Sequence, residues 1–339
     1  MRLHDSSGAS KWDSIFRMVF LIIIMISGCS RSSPQPRTGK DGQVLQPVTL
    51  MLNWYPEAEH GGFFAAQVHG IYEEYGLDVE IRSGGPNAPV AQELLTGRVQ
   101  FAIGNADDVL LFRQEKAPVV ALMAPIQNTP RCVMVHADSQ IDDLATLSGL
   151  TLQANTGRPF LDFMQARGML KDVRVVPYSG SVANFVTDRQ TAIQAYSFSE
   201  PFLAEQQGAR SRCLMLSDIG FNPYASCLIA TESTINEQPE TVKKLVAASR
   251  EGWIRYLEQP ADTNRRILEL NEHGMTMEAL DFGATAIREL CLPEGSGPEK
   301  IGSMTADRWQ TLFDQFVELG LVEAASFRPE QVYTTQFLN

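Results

Sequence analysis

From residue 48 to residue 230 the chain alternates short apolar runs with segments of helical spacing, and beyond about residue 231 the short runs stop. That rhythm constrains the fold more than any other feature. The runs at 48–53, 78–82, 100–103, 119–124, 132–136, 151–154, 174–177, 192–196, 213–216 and 227–230 are strand-length. Several are rich in Val, Ile and Leu without strict alternation, as expected of strands covered on both faces. Between them, 62–75, 89–96, 106–114, 159–167, 182–187 and 201–207 read as helices. A βαβα order predicts an α/β fold with largely parallel sheets. The segments 239–257, 262–271, 277–290 and 306–319 then predict a helical C-terminal tail.

Two turn-rich stretches break the rhythm: "APIQNTPRC" at 124–132 and "DIGFNPYASC" at 218–227. Read as two crossings between sheets, they divide the chain into a discontinuous lobe one, 48–127 with 228–339, and a lobe two, 128–227. A pair of crossings is a hinge, and a hinge between α/β lobes leaves a cleft able to close on a ligand.

Apolar residues make up 44% of the chain and charged ones 20%, enough for a packed core. The net charge of −12, with no basic stripe, excludes nucleic acid as a partner, since phosphate binding needs clustered Lys and Arg. The five Cys form neither a CxxC nor a Cys/His cluster, so no metal or other cofactor is expected. At the N-terminus, Lys11 and Arg17 precede an apolar run at 18–26, short for a hydrocarbon core of ~30 Å but suited to a signal peptide. Ile26-Ser27-Gly28-Cys29 resembles the bacterial lipobox, at which Cys29 is lipid-modified and becomes the mature N-terminus. The expectation is therefore a signal peptide at 1–28 and a flexible Ser-, Pro- and Gln-rich tether at 29–47. The protein is expected in the cell envelope, held to the membrane through Cys29 on its periplasmic or extracellular face.

In open α/β sheets ligands bind beyond the carboxyl ends of the strands. The loops there supply the candidate site: Asn53, Trp54, Glu57 and His60 after the first strand, Asn105 and Asp107 after the third. Lobe two adds Gly157 and Arg158, then Tyr196 and Glu200. Trp54 and Tyr196 offer aromatic faces to a flat solute, and Glu200 offers a carboxylate to N–H donors. Arg158, beside a helix start, suits an anion. Helix capping accounts equally well for Asn105 and the dipole for Glu200. The glycine loops match neither GxGxxG nor the Walker pattern, and no GxSxG or HExxH is present, so no catalytic residue is assigned.

Four stretches, "LNWYPEAEHGGFFAAQVHGIYEEYGLDVEI", "GGPNAPVAQELLTGRVQFAIGNADDVLLFR", "PVVALMAPIQNTPRCVMVHADSQIDDLATLSGLTL" and "AYSFSEPFLAEQQG", carry a family resemblance from about 48 to 253. The chain resembles the thiamine-pyrimidine synthase and pyrimidine-precursor-binding family, within the alkanesulfonate- and taurine-binding-like proteins. The resemblance implies the type II periplasmic-binding-protein fold, with two α/β lobes, two hinge crossings and a ligand in the cleft. It also implies contacts to a ring from Asn53-Trp54 and from the Glu200-Pro201 turn, on opposite lobes. One branch of the family delivers a solute to an ABC permease and ATPase. The other makes the pyrimidine, using a Lys and a His where this sequence has Gly104 and Asp108, and a Cys-rich run where it has only Cys227. The expected function is thus a monomeric solute-binding lipoprotein of an ABC importer, not an enzyme. The expected ligand is a thiamine-pyrimidine precursor such as formylaminopyrimidine or hydroxymethylpyrimidine. A sulfonate- or taurine-binding component and a pyrimidine synthase are the alternatives.

Overall fold

The computed structural model describes residues 37–39, 42–86, 88–292 and 295–338. The expected signal segment at 1–28, Cys29 and the first part of the tether lie outside the described residues. From Arg37 onward the supposed tether is bound to the body. Arg37 bonds to Asp78 at 2.6 Å and Glu73 at 2.9 Å, Thr38 pairs with Val44, and Leu45 is buried.

Ten strands are seen among the described residues: β1 Gln46–Met51, β2 Leu77–Arg82, β3 Phe101–Gly104, β4 Val119–Met123, β5 Arg131–His136, β6 Leu150–Ala154, β7 Val173–Pro177, β8 Thr191–Tyr196, β9 Ser211–Met215 and β10 Cys227–Thr231. The helices of the first half are α1 Gly61–Val68, α2 Ile71–Glu74, α3 Val90–Leu95, α4 Ala106–Gln114, α5 Pro159–Ala166, α6 Ala183–Thr187 and α7 Glu200–Gln206. The second half adds α8 Glu232–Glu237, α9 Pro239–Glu258, α10 Ala261–Leu270, α11 Met277–Cys291 and α12 Ala306–Glu318.

The strands form two sheets, ordered β2-β1-β3-β10-β4 and β7-β6-β8-β5-β9. The expectation of largely parallel sheets needs correcting. β10 runs antiparallel to β3 and β4, and β5 runs antiparallel to β8 and β9. The reason is topological. A strand that arrives from the other sheet enters at the cleft, where the parallel strands end, and so travels the opposite way. Arg131, the first residue of β5, therefore stands opposite Tyr196, the last of β8.

The crossings are tied to each other. Ala225 donates its N–H to Ile126 O at 3.1 Å, Thr129 N–H donates to Asn222 Oδ1 at 2.8 Å, and Arg308 of α12 donates to both Gln127 O and Asn222 O. Residues 36–339 form one compact unit, because an apolar cluster runs from Ala102 and Leu110 through Phe221 to Phe163 and Leu152 without a break. The C-terminal helices pack on the first sheet. α9 buries Val242, Leu245, Val246, Ser249, Gly252, Trp253 and Tyr256, a helical stripe facing α1. At the closest approach a Cβ on Gly61 or Gly62 would fall inside the rings of Tyr256 and Trp253, and one on Gly252 would strike Gly62 O. The Gly61-Gly62 pair is thus a packing device rather than part of a ligand loop.

Candidate functional site

The carboxyl end of β3 lies beside the start of β10 in one sheet, that of β8 lies beside the start of β5 in the other, and the polar side chains gather at these ends. On the first lobe, Trp54 Nε1 donates to Glu57 Oε1 at 3.1 Å. Asn53 Oδ1 lies 2.9 Å from His60 Nε2, and burial lowers the His60 pKa to about 3, so the ring is neutral at physiological pH. This bond holds the loop in shape; it leaves His60 as a brace inside the lobe.

Asn105, in extended backbone just ahead of α4, donates its N–H to Asp108 Oδ2 at 3.1 Å and accepts the Ser226 N–H on Oδ1 at 3.1 Å. Ser226 is a buried non-glycine residue at φ +53°, and its hydroxyl donates to Glu59 O at 2.7 Å. A left-handed serine is strained by roughly 1 kcal/mol or more, and these two bonds hold it at the return crossing. Asp107 is buried, with Oδ1 lacking a partner among the described residues.

On the second lobe, Glu200 Oε2 accepts the Tyr196 N–H at 2.7 Å and its Oε1 accepts the Tyr178 hydroxyl at 3.3 Å. Arg158 NH1 donates to Asp108 Oδ1 at 3.0 Å, an ion pair that spans the two lobes. Its charge, expected to be free for an anion, is engaged. Gly157 is exposed at φ +75° and serves the turn into α5; among the described residues no hydrogen bond brings it to the cluster. Pro159 at the first turn of α5 fixes the backbone that follows.

Electrostatically the cluster is acidic. Burial raises Glu57 well above the usual carboxyl range, and the charges of Glu59 and Glu200 push it further. Burial raises Glu59 to about 7, with Arg131 opposing, and Asp107 to about 6, with Asp108 adding and Arg131 and Arg158 opposing. Glu200 is raised by burial against the Tyr196 N–H. Mutual influence on this scale needs proximity, so Glu59, Asp107, Asp108 and Glu200 gather about Arg131 and Arg158, with Glu57 beside Glu59 and Glu200. Burial holds Glu57 and Glu59 toward their protonated forms, so the cluster offers carboxyl groups that can both accept N–H groups and donate, beside the Arg131 and Arg158 guanidiniums.

Sequence reasoning missed Glu59 and Arg131. Glu59 stands in a loop already singled out, two residues from Glu57, and Tyr178 stands just past the end of β7. Arg131 stands at the beginning of a strand, where the rule of carboxyl ends does not look.

A family model described as "NMT1/THI5 like" matches residues 57–263, well over half of the chain. The chain belongs to this family. It is 25% identical over 302 residues to a formylaminopyrimidine-binding protein of Halalkalibacterium halodurans, covering 86% of this chain and 89% of that one. It is 26% identical over 263 residues to the riboflavin-binding protein RibY of Chloroflexus aurantiacus, covering 73% and 75%. At 22% identity it also matches a 4-amino-5-hydroxymethyl-2-methylpyrimidine phosphate synthase of Saccharomyces cerevisiae, over 63% of this chain and 68% of that one. Among solved structures, the periplasmic aliphatic sulphonate binding protein of Escherichia coli superposes with a TM-score of 0.66 at 14% identity, covering 86% and 93%. The fold is that of the periplasmic binding proteins.

Proposed function

We propose that the protein is an extracytoplasmic solute-binding protein that closes its two lobes on a small amino-heteroaromatic compound, a thiamine-pyrimidine precursor, and presents it to an ABC importer. Export, lipid attachment at Cys29 and action as a monomer belong to the same proposal. The observation that carries it is the convergence of Glu57 and Asp107 from one lobe with Glu200 and Tyr196 from the other, beside Trp54. Carboxyl groups on both lobes can accept amino N–H groups, and a protonated one can donate to a ring nitrogen, a pattern that an aminopyrimidine matches and a sulfonate does not. The name and coverage of the Halalkalibacterium halodurans relative support the same ligand class.

A transport role rather than synthesis is supported at the two positions where the resemblance puts a reactive Lys and His. Gly104 leaves no side chain, and both Asp108 oxygens are occupied, one by the Asn105 N–H and one by Arg158. Thermal-shift measurement on the purified protein tests the reading. Formylaminopyrimidine or hydroxymethylpyrimidine, at about a hundredfold excess over Kd, should raise the melting temperature by about 5 °C. No shift with either pyrimidine overturns the proposed ligand. A shift with riboflavin or with an alkanesulfonate alone moves the site to that class, and turnover of pyridoxal phosphate with iron makes the protein a synthase.

A further inference from the structure

Arg131 is 6% exposed, yet among the described residues it forms no direct ion pair with a carboxylate. Its guanidinium carbon stands 5.3 Å from the centroid of the Phe160 ring and 5.1 Å from that of Tyr196, and NH2 donates to the Tyr196 hydroxyl at 3.1 Å. That is the single side-chain hydrogen bond the guanidinium makes among the described residues. Its other nitrogens have no protein acceptor there, and they are absent from the buried atoms sealed without a partner, so they retain some access to solvent. The other cleft cation, Arg158, is paired with Asp108. A desolvated guanidinium held between two rings with donors left over is a prepared recognition group.

We propose that Arg131 determines specificity by donating to a carbonyl-type oxygen on the solute. The bound compound is then dipolar, with an oxygen acceptor at the Arg131 end and N–H donors at the Glu57 and Glu200 end. Two arguments select this acceptor. An sp² oxygen has two lone pairs and suits the planar fork, whereas a ring nitrogen has one. Glu59, Asp107 and Glu200 already lie close enough to interact with the Arg131 charge, so an uncharged acceptor fits where a full anion is opposed. The inference rests on the proposed amino-heteroaromatic ligand and adds the group that recognises its other end.

The test is a thermodynamic cycle read by calorimetry. The probes are formylaminopyrimidine and an analogue in which a propyl chain replaces the formamide side chain, so that ring and amino group are unchanged. The native protein should prefer the formyl probe by about ten- to a hundredfold. Arg131→Met should bind both probes within about twofold of each other, and Arg131→Lys, which keeps the charge but not the fork, should fall between. A purely structural role would weaken both probes alike and leave their ratio unchanged; that result overturns the assignment. If Arg131→Met does not fold, Arg131→Lys carries the test, with retention of the native preference as the overturning result. Binding of neither probe to the native protein overturns the pyrimidine reading itself, and the Arg131 assignment with it.

Discussion

Trp54 and Glu57 are paired: the indole N–H donates to the Glu57 carboxyl, and the proposed site takes the ring as a flat wall for the solute. Trp54→Ala removes both, and pyrimidine affinity should fall by at least about tenfold in calorimetry; unchanged affinity would remove Trp54 from the site. Glu59 makes a different prediction. Its pKa is raised to about 7 by burial, so the folded protein holds a proton that the unfolded chain has already released. The native state binds more protons between the ordinary carboxyl range and pH 7, and stability therefore declines as pH rises through that window, then levels off. Glu59→Gln should raise the melting temperature by about 3 °C at pH 8 and leave it unchanged at pH 4. Equal effects at both pH values would mean that folding leaves the pKa of the Glu59 carboxyl unshifted. Trp54 and Glu57 were legible because aromatic and acidic residues stand out on a strand-to-helix loop. Glu59 was not, because nothing in the sequence says which of two nearby acids is sealed.

At the scale of elements, the contact between α1 and α9 depends on the absence of side chains at Gly61, Gly62 and Gly252. Gly62→Ala drives a methyl into the Trp253 indole, and overpacking of this kind costs about 1–3 kcal/mol, measurable as a lower denaturant midpoint. An unchanged midpoint would show that Trp253 has room to turn aside. The order of strands and helices was legible from the lengths of the apolar runs. The directions of β5 and β10 were not, because periodicity carries no sign; only the route of the crossings reverses them. That reversal puts Arg131 in the cleft.

For the whole molecule, contacts between the lobes beyond the shared apolar cluster include Asp108 with Arg158, and Phe282 of α11 with Phe202 of α7, ring centroids 5.4 Å apart. The ion pair is partly exposed and screened, so Arg158→Ala should raise Kd by no more than about fivefold, mostly through faster release. Small-angle scattering of the unliganded variant should show a larger radius of gyration than the native protein, and identical curves would deny the pair a part in closure. Arg308, bonded to both crossings, holds the hinge segments in register from outside the cleft.

By itself the sequence determined the class of fold and the order of strands and helices, because run length and spacing act locally. Tertiary structure decided which polar groups are engaged and which are free. Asn53 and Arg158 were plausible ligand contacts by residue type, but each is already held, one by His60 and the other by Asp108. Arg131 had no local mark, and it became the cation with donors to spare only when β5 ran back from the hinge and set it beside Tyr196. Hydrogen-bond partners far apart in the chain are chosen by packing, which a linear pattern does not encode.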